Sequence, residues 1–525
     1  MHRYVRTTIA AALVVMTVTA CTDVTTEPRS TVSSANAFND AGSYRAFLAK
    51  LYAGLAVTGQ EGPAGAADIE GIDEGFSQYV RGLWQLQQLP TDEVVIGWGD
   101  DGLPELNTHQ WSSSNPFVTA LYYRIFFQIA LSNEFLRETT EARLTSRGVS
   151  DQLRADIQQY RAEARFLRAL SYWHGIDLFA NIPLVRETDQ FGVQAPPQST
   201  RAETFNWLVT EVNEVRPLLP APGQAQYGRA DQGAARMLLA KLYLNSEQYG
   251  TGAQWAQVIA ETQAIIGSNA YQLPSNYHLN FLANNHTSPE IIFAVPFDGE
   301  RTRTWGGTTF LAHAAVGGNM DASAYGLDGG WWGMRVTPQF VALFGGAGGP
   351  DRRSNVFFTQ GHTLQINNLG DFFHGYPAPK YRNVTSNGTP GSNPTFPDVD
   401  YPMFRLADAY LMYAEAVLRG GGGTPQQALT YVNLLRTRAY GDNSGHITQG
   451  QLTLDFIIDE RARELWWEGH RRTDLIRFNR FSTNGVWAWK GNTAQGQTTP
   501  AFRNLYPIPA SEMLANPNLT QNTGY

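Results

Sequence analysis

Cysteine is almost absent from this chain: Cys21 is the single one among 525 residues. Disulfides within the chain and thiol catalysis are therefore excluded, and the fold must rely on its core. Hydrophobic runs of membrane-spanning length are also missing. The apolar run Ile9–Val18 has about half of the roughly twenty residues that a spanning helix needs. No later stretch reaches that length without charges. Basic excess is absent too: 39 Lys and Arg stand against 47 Asp and Glu, a formal charge of −8. Without a basic patch or tail, no nucleic acid partner is expected. The ten histidines (among them His109, His174, His286, His313, His362 and His374) are scattered. None forms an HExxH or a His-x3-5-His pair beside a carboxylate, so no metal is expected. Bound calcium has no ligand loop to support it. No Gly-x-Ser-x-Gly elbow and no phosphate loop occurs, and no cofactor is expected.

What is present begins at the N-terminus. Arg3 and Arg6 precede the apolar run, and Val18-Thr19-Ala20-Cys21 follows it. Residues 1–20 thus read as a secretory signal with a small residue before the cut. A lone cysteine at that point reads as a lipobox, with Cys21 carrying the lipid. The alternative is an ordinary signal with a chance cysteine. Several acyl chains on one residue anchor firmly, at about 0.8 kcal/mol per buried methylene. Residues 21–36 are polar, rich in Thr and Ser, with Pro28, and read as the lipidated Cys plus a flexible tether. Residues 37–525 are expected to form one α-rich domain, with 42% hydrophobic and 12% aromatic content over the whole chain.

Helical periodicity dominates both flanks of that domain. Phe166, Leu170, Trp173 and Ile176 share one face within Asp151–Phe179. Ala234, Ala235, Leu238, Leu239, Leu242 and Tyr243 form a stripe within Asp231–Asn245, and a second helix is expected at Ala253–Ile266. Leu406, Tyr410, Tyr413 and Val417 mark another, followed after Gly420–Gly423 by Ala428, Val432 and Leu435. Each pair occupies about 34 residues, the tetratricopeptide period. Unrelated helical hairpins are the plainer reading of the same pattern. The middle differs: Asp298–Asp400 holds 18 glycines in 103 residues, well above the roughly 7% average. It reads as a loop-rich insert with minor β, such as Ile291–Val295 just ahead of it.

Four segments resemble the SusD/RagB family of outer-membrane nutrient-uptake lipoproteins. The first is Glu163-Ala164-Arg165-Phe166-Leu167-Arg168-Ala169 running to Leu178-Phe179-Ala180-Asn181-Ile182-Pro183-Leu184-Val185, where Ala180 and Asn181 replace the family's usual Gly and Asp. The second is Gly228-Arg229-Ala230 with the helix after it. The third runs from Arg405-Leu406-Ala407-Asp408-Ala409-Tyr410 through Asn433–Ala439 and Glu460–Leu465 to Glu468-Gly469-His470-Arg471. The fourth is Leu505-Tyr506-Pro507-Ile508-Pro509 with Asn516–Asn522. With the lipobox they span the chain. The resemblance implies a mainly α fold with about four tetratricopeptide-like helix pairs and an irregular ligand face. It implies a lipid-anchored, surface-facing outer-membrane protein that binds a nutrient, typically a glycan. It also implies a partner, a SusC-like TonB-dependent transporter barrel that the scaffold half contacts. In the phylum where the family is best known, surface export often uses acidic residues just after the cysteine; here only Asp23 and Glu27 are present.

The candidate ligand site is aromatic. Sugar rings offer faces of C–H bonds that lie flat on Trp and Tyr, while their hydroxyls need polar partners. Trp98 stands in Gly97-Trp98-Gly99 with Asp100 and Asp101 following. In starch-binding members of the family, a Trp and a polar partner in a corresponding early loop touch the glycan. Trp331 and Trp332, after Gly329-Gly330, are the second candidate; Trp305 and Tyr325 are the third. For each the alternative is core packing or a loop anchor. Arg81 could reach the same face or pair with Glu74 or Asp92. Glu460, Glu464 and Glu468 fall on one helix stripe among arginines. They read as an ion-pair network rather than a glycosidase pair. The leading expectation is a non-catalytic oligosaccharide-binding lipoprotein. An oligopeptide binder of the RagB type is the alternative. A surface glycosidase using Asp100, Asp101, Asp321 or Asp328 is the remote one.

Overall fold

The computed structural model describes residues 38, 40–59, 62–63, 67–189, 192 and 194–525. The expected signal, lipidated Cys21 and tether lie outside the described residues. The main compact unit is Arg45–Tyr525, and the described residues before it belong to a separate small unit. Sixteen α-helices and six short strands supply the regular structure among the described residues.

Ten of these helices have ten residues or more: α1 (Ala41–Ala56), α2 (Tyr79–Gln88), α3 (Pro116–Glu138), α4 (Asp151–Phe179), α5 (Arg201–Val215), α6 (Gln232–Leu244), α7 (Trp255–Gly267), α8 (Leu406–Leu418), α9 (Pro425–Tyr440) and α10 (Leu454–Leu465). Their starts are written locally. Asn115 accepts from the Phe117 and Val118 N–H groups, with Pro116 in the first turn. Ser150, Asp231 and Thr424 cap α4, α6 and α9 in the same way, and Thr200 with Glu203 forms a capping box on α5. Gly441, at φ 83°, closes α9.

Most of these helices pack on a neighbour in sequence, α2 on α3, α3 on α4, α4 on α5, α5 on α6, α6 on α7, and α8 on α9. The expected stripe on α4 is the buried one. Phe166, Leu170 and Ile176 have no exposed surface, and Trp173 has 8%. Burying each of the three fully buried side chains is worth about 1.5–3 kcal/mol. The two expected tetratricopeptide-like pairs, α6–α7 and α8–α9, lie side by side, because α7 also packs on α8. Residues 268–405 therefore leave and re-enter the helical stack between two neighbouring helices.

That excursion is where glycine is concentrated, and its described elements are short. Two antiparallel ladders hold it. At its base, β4 (Ile291–Val295) pairs with β6 (Tyr401–Arg405). Further out, β5 (Met334–Val336) pairs with β1 (Val94–Ile96), which follows α2. The remaining strands, β2 (Ile182–Pro183) and β3 (Gln198–Ser199), pair beside α4.

A buried ionic network locks the base of the excursion onto α10. Arg405 donates to Glu290 (2.7 Å), Glu464 (2.6 Å) and Glu468 (2.6 Å). Arg353 bridges Glu460 and Glu464, both at 2.9 Å. Glu460, Glu464 and Glu468 are thus structural, as their spacing among arginines suggested. The guanidinium groups hold the Glu460 and Glu464 carboxyls well below the usual carboxylate range, against the effect of burial.

Candidate functional site

The β1–β5 ladder sets the site. Its register places Ile96 opposite Met334, so Trp98 and Trp331 both fall just past the paired residues. The pairing continues one step, with the Gly97 N–H donating to the Gly333 carbonyl at 3.1 Å. Glycine is required at Gly333 because the Trp98 ring lies over it. A Cβ there would meet Trp98 Cε2 and Cζ2 at 2.7 Å. The Trp98 indole N–H then donates to the Trp331 carbonyl at 2.9 Å.

Three tryptophans from three chain segments form one connected group. The Trp98 and Trp331 rings lie 6.2 Å apart at 48°, and those of Trp331 and Trp305 lie 6.1 Å apart at 54°. Each ring has a support. Phe310 stands edge-on to Trp98 at 5.9 Å, His313 stacks on Trp331 at 4.8 Å and 18°, and Phe396 backs Trp305 at 5.0 Å. None is sealed in the core: Trp98 and Trp331 are half-buried, and Trp305 keeps 37% of its surface exposed. His313 ties two loops together, with Nδ1 2.7 Å from the Gly329 carbonyl and Nε2 3.0 Å from that of Thr395. Burial holds its pKa below the ordinary value, although both carbonyls and Asp328 pull the other way.

Arg81, in the first turn of α2, belongs to the same group. Its guanidinium lies 4.4 Å from the centre of the Phe310 ring, and Nη1 donates to the Trp305 carbonyl at 3.0 Å. Neither expected carboxylate partner is taken up in an ion pair with it. Asp92 is held by Arg471 (2.7 and 2.6 Å), and Glu74 accepts the Trp305 backbone N–H at 3.1 Å. Burial lowers the Arg81 pKa to about 10, and Asp73, Asp100 and Glu74 raise it in part. Arg81 stays charged, in a field made acidic by three carboxylates. Asp100 and Asp101 are exposed, in the turn that leads through Gly102 into helix Leu103–Thr108.

The remaining candidates have other company. Trp332 sits beside Trp331 with φ 56° and 49% of its surface exposed. Its ring neighbours are Phe372 (5.9 Å) and Phe373 (6.2 Å, edge-on). The loop carrying those rings is organised by Arg335 of β5. This fully buried guanidinium donates to the carbonyls of Gly333 (2.7 Å), His374 (3.0 Å) and Asp371 (3.1 Å). Tyr325 is half-buried in the turn Ala322–Tyr325, packed against a small apolar cluster around Val316 and Phe372. Sequence reasoning missed the supports His313, Phe310 and Phe396, and the carboxylate of Asp73 beside Arg81. Nothing in their local sequence marks them, since each is brought in by the excursion or by the loop ahead of α2. Among the described residues, no cluster of His, Cys, Asp or Glu could hold a metal ion, and no helix is long and apolar enough to cross a membrane.

Comparison with known proteins follows the same lines. Residues 352–525 match the family model described as "SusD family", and residues 92–244 match "Starch-binding associating with outer membrane". The chain is 34% identical over 533 aligned residues to the starch-binding protein SusD of Bacteroides thetaiotaomicron, covering 91% of each chain. It is 26% identical to the SusD-like protein P25 of Formosa agariphila, over 72% of this chain and 75% of that one. Among solved structures, it superposes on a surface glycan-binding protein A of Bacteroides thetaiotaomicron, determined with laminarihexaose. That match has a TM-score of 0.69 and 20% identity, and covers 92% of this chain and 99% of that one. The corresponding protein of Bacteroides fluxus gives a TM-score of 0.70 at 21% identity, with 92% and 99% covered. The starch-binding relative and the two surface glycan-binding proteins are named for binding rather than for catalysis. The extent of the match to the starch-binding relative, with the helical stack and its looped-out face, means that the chain belongs to the SusD family.

Proposed function

We propose that this protein is a non-catalytic surface lipoprotein that captures an oligosaccharide and delivers it to a SusC-like TonB-dependent outer-membrane transporter. The observation that carries the reading is the connected group of Trp98, Trp331 and Trp305, half-buried or exposed and each backed by another ring. Such a shelf suits the C–H faces of successive sugar rings. Trp332 extends the exposed aromatic surface, and Tyr325 supports the loop beside it. Arg81, Asp100 and Asp101 supply donors and acceptors at the edge for sugar hydroxyls. The reading needs no covalent step, and the carboxylates there serve as hydrogen-bond partners. A glucan is favoured as cargo, because one relative is named for starch and another was determined with laminarihexaose. Cys21 would hold the protein at the membrane by its lipid.

The test is a titration of the mature chain with maltoheptaose, laminarihexaose and a panel of oligopeptides. Trp98→Ala and the Trp331→Ala/Trp332→Ala double variant are run in parallel. Binding of one glucan series, lost in a variant that stays folded, supports the reading. Binding of peptides alone refutes the cargo, and glucan binding indifferent to all three tryptophans refutes the site. Incorporation of labelled palmitate, abolished by Cys21→Ser, tests the anchor. Co-purification of a barrel transporter tests the partner.

A further inference from the structure

A second concavity lies across one loop from the tryptophan shelf. It has a volume of about 500 Å³, within the range of small-molecule sites. Its floor is one face of α3, where Pro116, Thr119 and Tyr123 recur at i, i+3 and i+7. Ile72 and Phe76 form one wall, and Ala510 and Ser511 of the helix Ala510–Ala515 form the other. The walls are tied in place. The Ala510 N–H donates to the Ser113 carbonyl at 2.9 Å, and the Tyr123 hydroxyl donates to Ser511 Oγ at 2.6 Å. Phe76 packs on Phe117 at 4.9 Å.

The lining mixes apolar faces with hydroxyls. Ile72, Phe76 and the Tyr123 ring present carbon, while Ser113 and Ser114 present O–H groups, Thr119 a hydroxyl oxygen whose proton goes to the Asn115 carbonyl, and Glu70 a carboxylate. That is the chemistry of a carbohydrate contact rather than of a lipid or an apolar helix. One loop separates the site from the shelf and touches both. The loop Glu70–Phe76 offers Phe76 to the groove, while its neighbour Gly75 abuts the shelf. A Cβ on Gly75 would lie 2.9 Å from Trp305 Cβ and 3.1 Å from Arg81 Nη1. Asp73 of the same loop acts on the Arg81 charge.

We propose that the groove between α3, the Glu70–Phe76 loop and helix Ala510–Ala515 is a second carbohydrate subsite, which holds the part of a long glucan that extends beyond the tryptophan shelf. This rests on the glycan reading of the shelf. The subsite makes affinity depend on chain length, because a short ligand fills the shelf alone.

The experiment is calorimetric titration of the mature chain with maltotriose against maltodecaose, and laminaritriose against laminarihexaose. Ala510→Trp fills the groove, and Tyr123→Ala strips its floor without adding bulk, so one variant remains if the other fails to fold. Trp98→Ala reports on the shelf. The unmodified chain is expected to bind the longer member of one series at least tenfold tighter than the trimer. Either groove variant should reduce that advantage at least fivefold and leave trimer binding unchanged, whereas Trp98→Ala weakens both lengths. If both groove variants keep the full length advantage, or weaken the trimer equally, the inference is overturned while the shelf stands. If no glucan of either length binds the unmodified chain, the glycan reading falls and this subsite with it.

Discussion

Gly333→Ala tests how the shelf is built without touching a proposed ligand contact. The φ of Gly333 lies outside the left-handed region, so the backbone accepts alanine. The new methyl would sit 2.7 Å from two carbons of the Trp98 ring and 3.0 Å from its Nε1. Carbon atoms rest at about 3.5–4.0 Å, so the indole must retreat by about 1 Å. Overpacking of this kind costs about 1–3 kcal/mol. The 2.9 Å bond from Trp98 to the Trp331 carbonyl stretches or breaks, which accounts for about 0.5–1.5 kcal/mol of that. Both indoles then leave their common arrangement. Loss of about 1.4 kcal/mol of binding is a tenfold weaker affinity. The assay is calorimetric titration with the glucan that binds best, beside thermal unfolding. Gly329→Ala is the internal control, since a Cβ there meets open space, and it should change stability by less than about 0.5 kcal/mol. Gly333→Ala that binds within twofold of the unmodified chain would refute the claim that this glycine positions Trp98.

Trp98→Ala should weaken glucan binding by about thirtyfold or more, the cost of truncating a central aromatic contact of about 2 kcal/mol, with the far-ultraviolet circular dichroism of the helical stack unchanged. Arg405→Met removes the guanidinium shared by Glu290, Glu464 and Glu468 and leaves them only Arg438, Arg353 and Lys380, and should destabilise by about 3 kcal/mol in denaturant titration. Glu93, which precedes β1 and accepts the Trp467 N–H at 3.0 Å, has its carboxyl pushed up to about 8 by burial, against the pull of Arg471. The folded chain therefore holds a proton that the unfolded chain releases near its ordinary value, so this group's contribution to stability falls as pH rises from about 4.5 to 8. Glu93→Gln should flatten that part of the stability–pH profile, and an unchanged slope would assign the proton elsewhere.

The helical half of the molecule was legible because its information is local. The stripe Phe166–Ile176 needs only a 3.6-residue period to be buried, and α4 spans the expected Asp151–Phe179. The capped pairs α6–α7 and α8–α9 follow from Asp231, Thr424, Pro425 and Gly441 in the same local way. The site was legible only in part. A tryptophan set beside glycines signals a ring outside a helix core, so Trp98, Trp331 and Trp305 could be nominated one by one. Their association could not be read, because the ladders that assemble it pair residues far apart in sequence. β1–β5 joins Val94–Ile96 to Met334–Val336, and β4–β6 closes the base of the excursion that carries Trp305 and Trp331.

The sequence by itself determined the helices, their caps, the glycine-rich excursion and the residue types able to meet a sugar, because periodicity and turn chemistry act over a few residues. Only the tertiary structure decided which rings stand together, that Arg81 serves the Trp305 carbonyl rather than an expected carboxylate, and that Trp332 keeps company with Phe372 and Phe373. The physical reason is that those contacts depend on strand register and on close approaches such as Gly333 under Trp98, which exist only once segments far apart in the chain have packed.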